Sequence, residues 1–416
     1  MHIDTDTGNM RLMHPRLAIP RLHALAAQFP AVLIIGARQV GKTTLARAAF
    51  PDLPYCDLED PASGALFAED PRFQLEARTR SAVGLILDEA QAVPEIFPAL
   101  RGLIDADRRP GRFVILGSAQ PTLAQRVAES LAGRVGLLEL DPLCAAEAAG
   151  GSQPQDWRNL WLSGGFPDAL HAYQRGGTFR DWWEAYLRAY TERDLPLLGM
   201  AVESLLMRRL LTMLAHAQGG IANFSQFGAS LGVSHSTIVR YIDILERSFL
   251  LRRLPPYFRN IGKRLVKAPK LYLRDTGLLH HLLNIDTLAA LESHPSRGAS
   301  WETLVLEDIS RRERLAYPHA HLYFWRTAAG AEVDGVLERG DRRYLLEVKT
   351  ARAASPYLAR SLRAARDDVA AVAAIVIDQA PGIEPLAEGV TRRGFAESLD
   401  WLPGSPGPTK RRNEAR

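Results

Sequence analysis

The segment from Gly36 to Thr43 constrains the fold of this chain more than any other. It reads Gly-Ala-Arg-Gln-Val-Gly-Lys-Thr and fits the pattern GxxxxGK(S/T). The apolar run AVLII, residues 31–35, precedes this segment. The helical pattern TTLARAAF begins at Thr43, the last residue of the segment, and continues to residue 50. A glycine-rich turn between a buried strand and a helix points backbone N–H groups at one place, which suits phosphate. The segment therefore predicts a parallel sheet with helices packed on it.

This loop also carries side chains suited to a nucleoside triphosphate and its metal ion. The Lys42 ammonium can reach the β- and γ-phosphates, and the Thr43 hydroxyl can ligate Mg²⁺. We expect ATP and Mg²⁺ as the ligands. The predicted nucleotide contacts are Gly36, Gln39, Val40, Gly41, Lys42, Thr43 and Thr44. A chance glycine turn is the alternative, but strand, loop, lysine and helix are all in place.

A second apolar strand at residues 84–87 ends in Asp88-Glu89, 45 residues after Thr43. We predict that Asp88 holds the magnesium ion through water and that Glu89 orients and polarises the attacking water. Phosphoryl transfer depends on such positioning and on charge neutralisation. Two acids after a strand are common by themselves, and the upstream phosphate loop is what favours this function.

Two further candidates follow a third strand at residues 113–116. Ser118 and Gln120 lie at the carboxyl edge of the predicted sheet, where nucleotides bind in this architecture, and either can sense the γ-phosphate. Capping of the next helix is the alternative for both. Arg134 is a candidate for the charge that stabilises the transition state, with an ordinary surface arginine as the alternative.

The remainder of the chain changes pattern twice. Residues 157–200 are helical in pattern, with aromatic side chains at 182–190 that we expect to form a core. Two short amphipathic helices at 224–231 and 236–245, followed by a strand-like stretch at 250–254, indicate a winged helix. From Arg297 onward the pattern is a helix, three strands, an alanine-rich helix and an apolar strand.

Basic residues are concentrated in the segment 251–270. It contains seven basic side chains and no acid, and it holds half of the six lysines of the chain. With His235 and Arg240 on the preceding helix, it is a candidate DNA contact. A winged helix that serves only for packing, or a solvated hairpin, is the alternative. The net charge of +4 is too small to indicate nucleic acid by itself.

Acidic residues near the C terminus form a second candidate site. Glu302 lies on a predicted helix, Asp334 and Glu347 lie on neighbouring strands, and Lys349 shares a strand face with Glu347. Together they resemble the PD-(D/E)xK nucleases, in which carboxylates hold Mg²⁺ and the lysine stabilises charge on a phosphate. Val333 replaces the proline of that pattern. An ordinary strand, or a fold that has lost catalysis, is the alternative.

Cysteine usage and the N-terminal pattern lead us to expect a cytoplasmic protein. The two cysteines, Cys56 and Cys144, form no CxxC pair and support neither a disulfide framework nor a zinc site. The N-terminal residues lack the pattern of a secretion signal, and no apolar run reaches the roughly 18 residues needed to cross a bilayer. We expect no membrane partner.

Five motifs in order carry a resemblance to a known family. They are GARQVGKTTL, LILDEAQ, ESLAGR with LDPL after it, GGFP, and YTERDL. The chain resembles the prokaryotic AAA+ superfamily ATPases that carry a C-terminal domain of unknown function. Members often show GSS at the sensor position, where this chain has Gly117-Ser118-Ala119. The resemblance implies an ATP-binding core followed by a winged helix and a nuclease-like C-terminal fold.

The expected fold class is α/β, in which a P-loop NTPase sheet with helices on both faces precedes a winged-helix module and a restriction-endonuclease-like domain. The expected boundaries are 1–150 for the AAA+-like ATPase domain, 151–204 for a helical lid or linker, 205–295 for the winged helix, 296–402 for the nuclease-like domain and 403–416 for a disordered tail.

Three functions remain open at the level of sequence. The first is Mg²⁺-dependent ATP hydrolysis that moves the C-terminal modules. The second is a nucleotide-controlled DNA-binding or regulatory switch with negligible turnover, and the third is an ATP-gated nuclease. A protein partner and a homo-oligomer are both open, as is the question of whether Arg134 acts on its own chain or on a neighbour.

Overall fold

The structure is a computed structural model, and it describes residues 14–80, 83–118, 121–149, 157–197, 203–257, 268–327, 330–352, 356–399 and 401. The predicted tail at 403–416, Gln120, and ten residues of the basic segment, 258–267, lie outside the described residues. No helix in the described ranges combines the length and the apolar character needed to span a membrane.

A five-stranded parallel sheet forms the N-terminal part of the chain, with the strand order β2-β3-β4-β1-β5. Its strands are β1 (Ala31–Gly36), β2 (Tyr55–Asp57), β3 (Leu85–Asp88), β4 (Phe113–Ser118) and β5 (Val135–Glu139). The three strands predicted from apolar runs, β1, β3 and β4, are confirmed. The outer strands β2 and β5 escaped prediction because β2 has three residues and β5 alternates, with Leu137 exposed.

Helices cover both faces of this sheet. They are α1 (Ala18–Ala26), α2 (Lys42–Ala49), α3 (Pro61–Glu69), α4 (Pro71–Thr79), α5 (Ile96–Ala106), α6 (Pro121–Leu131) and α7 (Ala145–Ala148). Successive strand residues point to opposite faces, so β1 sends Val32 to a core with α1 and α2 and sends Leu33 to a core with α5 and α6. The predicted α/β class is confirmed.

A helical module follows the sheet. It contains α8 (Trp157–Ser163), α9 (Pro167–Gln174), α10 (Phe179–Ala189), one turn of π-helix (Tyr190–Asp194) and α11 (Leu195–Leu197). The aromatic core predicted for this region is confirmed, because Trp183, Tyr186 and Tyr190 are buried.

Next come three helices and a two-stranded antiparallel sheet, in the element order expected of a winged helix. These elements are α12 (Ser204–His216), α13 (Phe224–Leu231), α14 (His235–Arg247), β6 (Leu251–Leu254) and β7 (Lys270–Leu273). Ile221 adds one antiparallel bridge to Lys270. Two short helices, α15 (Thr276–Leu282) and α16 (Leu288–Ser293), lead to the last module.

The C-terminal module is a six-stranded sheet with the order β12-β13-β11-β10-β9-β8. Its elements are α17 (Arg297–Ala316), β8 (Ala320–Arg326), β9 (Glu332–Arg339), β10 (Arg342–Val348), α18 (Pro356–Val369), β11 (Ala373–Asp378), β12 (Ile383–Ala387) and β13 (Val390–Gly394). Strand β10, which carries Glu347, pairs with β9 on one side and β11 on the other, so it is an interior strand.

A network of mostly buried charges joins these modules at Asp141, just beyond β5. The Asp141 carboxylate accepts from Arg274 at 2.7 Å and also from Arg314 of α17. Burial raises the pKa of Asp141, but the charges of Arg314 and Arg274 outweigh burial and hold that pKa well below its ordinary value. Three parts of the chain, far apart in sequence, therefore meet at one carboxylate.

Glu307 of α17 extends this network to the two-stranded sheet of β6 and β7. It pairs with Arg252 of β6, with 3.0 Å between Arg252 Nη2 and Glu307 Oε2, and it lies 3.5 Å from Arg274. Burial raises the pKa of Glu307, but Arg252 and Arg274 lower the pKa to about 2. An acid held ionised in the interior requires such partners, because an unpaired buried charge is costly.

The GGFP motif forms a second junction, between the helical module and α15. Gly164 has a left-handed φ of 83°, and a side chain there would overlap the Asp275 carboxylate. Asp275 caps α15 through the Gly277 N–H and also accepts from the Gly165 N–H at 2.8 Å. The motif is thus explained by close packing between modules, which only glycine permits.

Replacing Asp141 by alanine tests the charge network. The substitution takes the shared carboxylate away from Arg274 and Arg314, and we expect the free energy of unfolding to fall by about 3–5 kcal/mol. Urea denaturation followed by circular dichroism measures the change. Asp105→Ala is the control, because Asp105 pairs with Arg134 at the exposed surface and its loss should matter far less. Equal shifts in both variants would contradict the role given to Asp141.

Candidate nucleotide site and C-terminal acid cluster

The phosphate loop lies at the carboxyl end of β1, where the sequence predicted it. Two of its residues have left-handed backbone conformations, Gln39 at a φ of 60° and Gly41 at a φ of 96°. Gly41 is the residue immediately before α2, so the loop turns sharply into the helix. The first N–H groups of α2 are then free to point at a phosphate held by the loop. Val40 is buried beneath the loop, and Thr44 is exposed.

Lys42 is buried and folds back over the loop. Its ammonium donates to the carbonyl oxygens of Gly36 at 3.2 Å and Ala37 at 3.0 Å. Burial lowers the pKa of Lys42, although the carboxylates of Glu89 and Asp88 act in the opposite direction. A buried ammonium bonded to weak neutral acceptors is ready to exchange them for phosphate oxygens.

Thr43 and Asp88 meet directly. The Thr43 hydroxyl donates to Asp88 Oδ2 at 2.6 Å, and the Glu89 N–H donates to Asp88 Oδ1 at 2.9 Å. Hydroxyl and carboxylate oxygens are the ligands that magnesium prefers. The residues predicted to hold the metal ion therefore lie together and have the right chemistry for it.

Tyr55 is a site residue that sequence reasoning missed. Its hydroxyl donates to Asp88 Oδ2, the oxygen that also accepts from Thr43, at 2.9 Å. Strand β2 pairs in parallel with β3, and this pairing brings Tyr55 close to the end of β3. Burial and the neighbouring Asp88 charge both raise the pKa of Tyr55. A three-residue strand with an exposed tyrosine gives no signal that separates it from a surface loop.

Glu89 has a left-handed backbone, with a φ of 47°. That conformation is uncommon for a residue with a side chain and often marks a functional position. The Gln91 amide donates to the Glu89 carboxylate, so all three polar residues of the LILDEAQ motif are engaged at the edge of the sheet.

The other predicted catalytic residues have different positions. Ser118 ends β4 and pairs in register with Gly36, so its backbone lies beside the phosphate loop. Arg134 precedes β5 at the opposite, amino edge of the sheet, where it forms two hydrogen bonds with Asp105 at 2.9 and 2.7 Å. The structure therefore does not bring Arg134 to the phosphate loop of its own chain.

The YTERDL motif contacts the phosphate loop through its π-helical turn. Arg38 of the loop donates to Asp194 at 2.6 Å and lies 3.8 Å from Glu59. Arg193 of the same turn also pairs with Glu59. These charges therefore pair the phosphate loop and its neighbour Glu59 with the helical module. A π-helical turn often occurs where a helix serves a function.

In the C-terminal module, the structure brings together the four residues of the predicted nuclease-like site. Lys349 donates to Glu347 Oε1 at 2.6 Å, which confirms that the two side chains share a strand face. Asp334 accepts from the Val348 N–H at 2.8 Å. Asp334 also repels both Glu302 and Glu347 electrostatically, so the three carboxylates are close neighbours.

Three further residues belong to this group, which we call the acid cluster: Glu302, Glu332, Asp334 and Glu347 with Lys270, Tyr272 and Lys349. Lys270 of β7 lies 3.3 Å from Glu302 and 2.5 Å from Glu332, and the Tyr272 hydroxyl donates to Glu302. For Lys270 the sequence offers one signal, because lysine is rare in this chain.

Crowding of carboxylates changes their acidity. Burial, reinforced by the Asp334 charge, raises the pKa of Glu302 and of Glu347 to about 7. Burial likewise raises the pKa of Asp334, against the charges of Lys349 and Lys270. In the described ranges no set of three or more His, Cys, Asp and Glu side chains has the arrangement of a metal site. The carboxylates are instead gathered around lysine ammoniums.

The basic segment 251–270 has less accessible charge than its sequence suggests. Three of its seven basic side chains lie in the described residues, and all three are paired with carboxylates of the same chain: Arg252 with Glu307, Arg253 with Glu246, and Lys270 with Glu332. Tyr257 is buried. Arg252, Arg253 and Lys270 are thus engaged within the chain, whereas His235 and Arg240 are exposed on α14. DNA contact by this segment stays a prediction.

Comparison with known proteins agrees with this geometry. A family model described as "AAA domain" matches residues 28–149. Two models described as domains of unknown function, DUF8612 and DUF4143, match residues 154–289 and 297–392. The four acids of the acid cluster all lie within the DUF4143 match.

Two mycobacterial relatives match most of the chain. The uncharacterized proteins Rv2008c of Mycobacterium tuberculosis and Mb2031c of Mycobacterium bovis are each 42% identical over 361 residues, which is 86% of this chain and 78% of the relative. Among solved structures, a Walker-type ATPase, paby2304, of Pyrococcus abyssi has 15% identity and a TM-score of 0.43, and covers 68% of this chain and 99% of its own.

DnaA of Aquifex aeolicus bound to AMPPCP has 14% identity and a TM-score of 0.29, over 55% of this chain and 86% of its own. These structural likenesses are too low to support a functional comparison, and the matched family model and the mycobacterial relatives carry the assignment. The chain belongs to the family of these relatives, among the prokaryotic AAA+ superfamily ATPases that have a C-terminal domain of unknown function.

Proposed function

We propose that this protein hydrolyses ATP with Mg²⁺ at its phosphate loop and uses the nucleotide cycle to move its C-terminal modules. The observation that carries the proposal is the 2.6 Å contact between the Thr43 hydroxyl and the Asp88 carboxylate. Loop and strand β3 supply two oxygen ligands at one point, next to a buried lysine. This is the combination that phosphoryl transfer requires.

In this proposal each residue of the site has a distinct task. Lys42 exchanges its bonds to the loop carbonyls for phosphate oxygens, while Thr43 and Asp88 hold the metal ion. When bound, magnesium neutralises charge on the phosphate oxygens. Glu89, held by Gln91, orients the attacking water. Ser118, whose backbone pairs in register with Gly36, would sense the γ-phosphate. Arg134 can contribute only to the loop of a neighbouring chain, and that role stays a prediction.

Tyr55 has a positioning role in this proposal. Asp88 Oδ2 accepts from both Thr43 and Tyr55, and Asp88 Oδ1 accepts from a backbone N–H. The two hydroxyls fix the rotation of the carboxylate, so Asp88 faces the metal position before the nucleotide arrives. Such preorganisation lowers the cost of binding the ion.

Two charge contacts link the loop to the rest of the chain and support a coupling role. Arg16 donates to the carbonyl of Val40 at 3.0 Å and to that of Asp141 at 2.6 Å, so it spans the loop and the buried charge network. Arg38 connects the loop to Asp194 in the helical module. If the phosphate loop moves when the γ-phosphate is lost, Arg16 and Arg38 would transmit that movement to the neighbouring modules.

Replacing Glu89 by glutamine tests the hydrolytic role. The substitution keeps the shape of the side chain but removes its charge, and we expect ATP turnover to fall by about 100-fold or more with nucleotide affinity retained. Phosphate release, measured with and without DNA, reports the change. If the parent protein and the variant both turn over ATP no faster than background, the regulatory switch with negligible turnover is the correct function.

Tyr55→Phe tests the positioning role. Loss of one hydrogen bond, about 0.5–1.5 kcal/mol, should raise the Mg²⁺ concentration needed for half-maximal turnover by about threefold to tenfold. Affinity for ATP in excess EDTA should stay unchanged, because the phosphate contacts remain. Tyr317→Phe, in the C-terminal module, is the control. Unchanged or tighter magnesium dependence in Tyr55→Phe would show that the hydroxyl does not serve the metal ion.

The acid cluster supports a second candidate function, an ATP-gated nuclease. A buried oxygen, Glu347 Oε2, has no hydrogen-bond partner among the described residues, so one ligand position faces the cluster unsatisfied. With Asp334 and Glu302 it has the donor chemistry for a divalent ion. Lys349 would supply positive charge at a scissile phosphate, and the exposed His235 and Arg240 of α14 would contact DNA.

Asp334→Ala should abolish any divalent-dependent cutting of nucleic acid, because Asp334 is the central carboxylate of the cluster. Gel assays on duplex, single-stranded and branched DNA with Mg²⁺ or Mn²⁺ measure cutting. Asp341→Ala, an exposed acid in the turn between β9 and β10, is the matched control. The nuclease function is excluded if the parent protein cuts none of these substrates, with or without ATP.

A further inference from the structure

Lysine placement in this chain is selective. The sequence has six lysines among its 51 lysine and arginine residues, and all the others are arginines. The described residues include three of the six, Lys42, Lys270 and Lys349, and each lies in one of the two candidate sites. A compact ammonium differs from a guanidinium because it is a point charge of small volume. Lys270 therefore occupies a position where size and charge matter.

Lys270 reaches the acid cluster from a different module. It begins β7, which pairs with β6 of the winged-helix module, yet its ammonium lies between Glu302 of α17 and Glu332 of β9. The side chain is 4% exposed, and its ammonium lies 5.6 Å from the centre of the Phe324 ring. The Lys270 side chain therefore reaches from one module into the buried interior of another.

The cluster has more negative than positive groups. It contains four carboxylates, those of Glu302, Glu332, Asp334 and Glu347, and two ammoniums, those of Lys270 and Lys349. Arg326 adds a third cation, 3.2 Å from Glu332, but its side chain is 38% exposed and stands at the rim. Removing Lys270 would leave a buried group of acids with one internal cation, which another cation would then neutralise.

One ligand position in the cluster is already open. Glu347 is 6% exposed, and its Oε2 atom has no hydrogen-bond partner among the described residues, although Oε1 is bonded to Lys349. Leaving a carboxylate oxygen buried and unpaired costs free energy. An oxygen of this kind is free to accept a ligand that the described side chains of the cluster do not supply.

We propose that Lys270 is the resident cation of the acid cluster and that it competes with a divalent metal ion for these carboxylates. With the winged-helix module docked, the ammonium fills the cluster and excludes the ion. When β7 withdraws, the same carboxylates, with Glu347 Oε2 among the ligands, bind a divalent cation. The inference concerns metal binding and is independent of whether the cluster cuts nucleic acid.

The first test is Mn²⁺ binding to the full chain without nucleotide, measured by calorimetry. All proteins carry Asp88→Asn, which removes the carboxylate ligand at the phosphate loop. Lys270→Met replaces the ammonium by a side chain of similar length, and we expect Mn²⁺ to bind at least about tenfold more tightly than to the Lys270 parent. Adding Glu347→Gln should abolish the gain.

Arg326→Met is the matched control, because Arg326 also pairs with Glu332 but from the exposed rim. We expect no comparable gain from it. Mn²⁺ binding to Lys270→Met that is as weak as to its parent would overturn the proposal and make Lys270 a fixed structural ion pair. An equal gain in Arg326→Met, or a gain that survives Glu347→Gln, would also overturn it.

A second measurement uses the unmodified sequence and does not depend on the folding of a variant. Acetic anhydride acetylates accessible amines, and mass spectrometry then gives the extent of modification at Lys270. We expect millimolar Mn²⁺ to increase modification of Lys270, with Lys410 as the internal reference. Modification of Lys270 that is indifferent to Mn²⁺ would contradict competition between the ammonium and the metal ion.

Discussion

The buried charge network around Asp141 is the interaction on which the arrangement of modules depends. Charges in a protein interior are stable only with well-placed partners, and here the partners come from separate parts of the chain. Asp141 follows β5, Arg274 follows β7, and Arg314 belongs to α17. Each module therefore supplies a charge that the others must neutralise.

The phosphate loop lies between two contacts that leave the ATPase sheet. Arg16 joins the Val40 carbonyl to the Asp141 carbonyl, and Arg38 joins the loop to Asp194. The motifs LDPL and YTERDL contain those two aspartates and so contribute contacts between the phosphate loop and other parts of the chain. Lys270 also joins two modules, because it begins β7 and its ammonium pairs with Glu302 and Glu332 of the acid cluster.

Sequence reasoning predicted the parts of the fold that local pattern determines. The phosphate loop, β1, β3 and β4, and the αβββαβ order of the C-terminal module follow from apolar runs and glycine spacing. It missed β5, because a half-exposed edge strand lacks an apolar run, and Tyr55, because its function depends on register with β3. It misassigned Lys270, because a count of charges along the chain does not show carboxylates 32 and 62 residues away. Pairing across long separations is a property of the folded chain.

Calorimetry with a magnesium-loaded, non-hydrolysable ATP analogue tests the central claim most directly. The claim is that the loop between β1 and α2 folds around a triphosphate and that the Lys42 ammonium contacts it. The account predicts saturable heat with the parent protein, loss of most of the affinity in Lys42→Ala, and unchanged affinity in Arg101→Ala, which alters an exposed cation on α5. Absence of heat from folded parent protein, or equal affinity in Lys42→Ala, would contradict it.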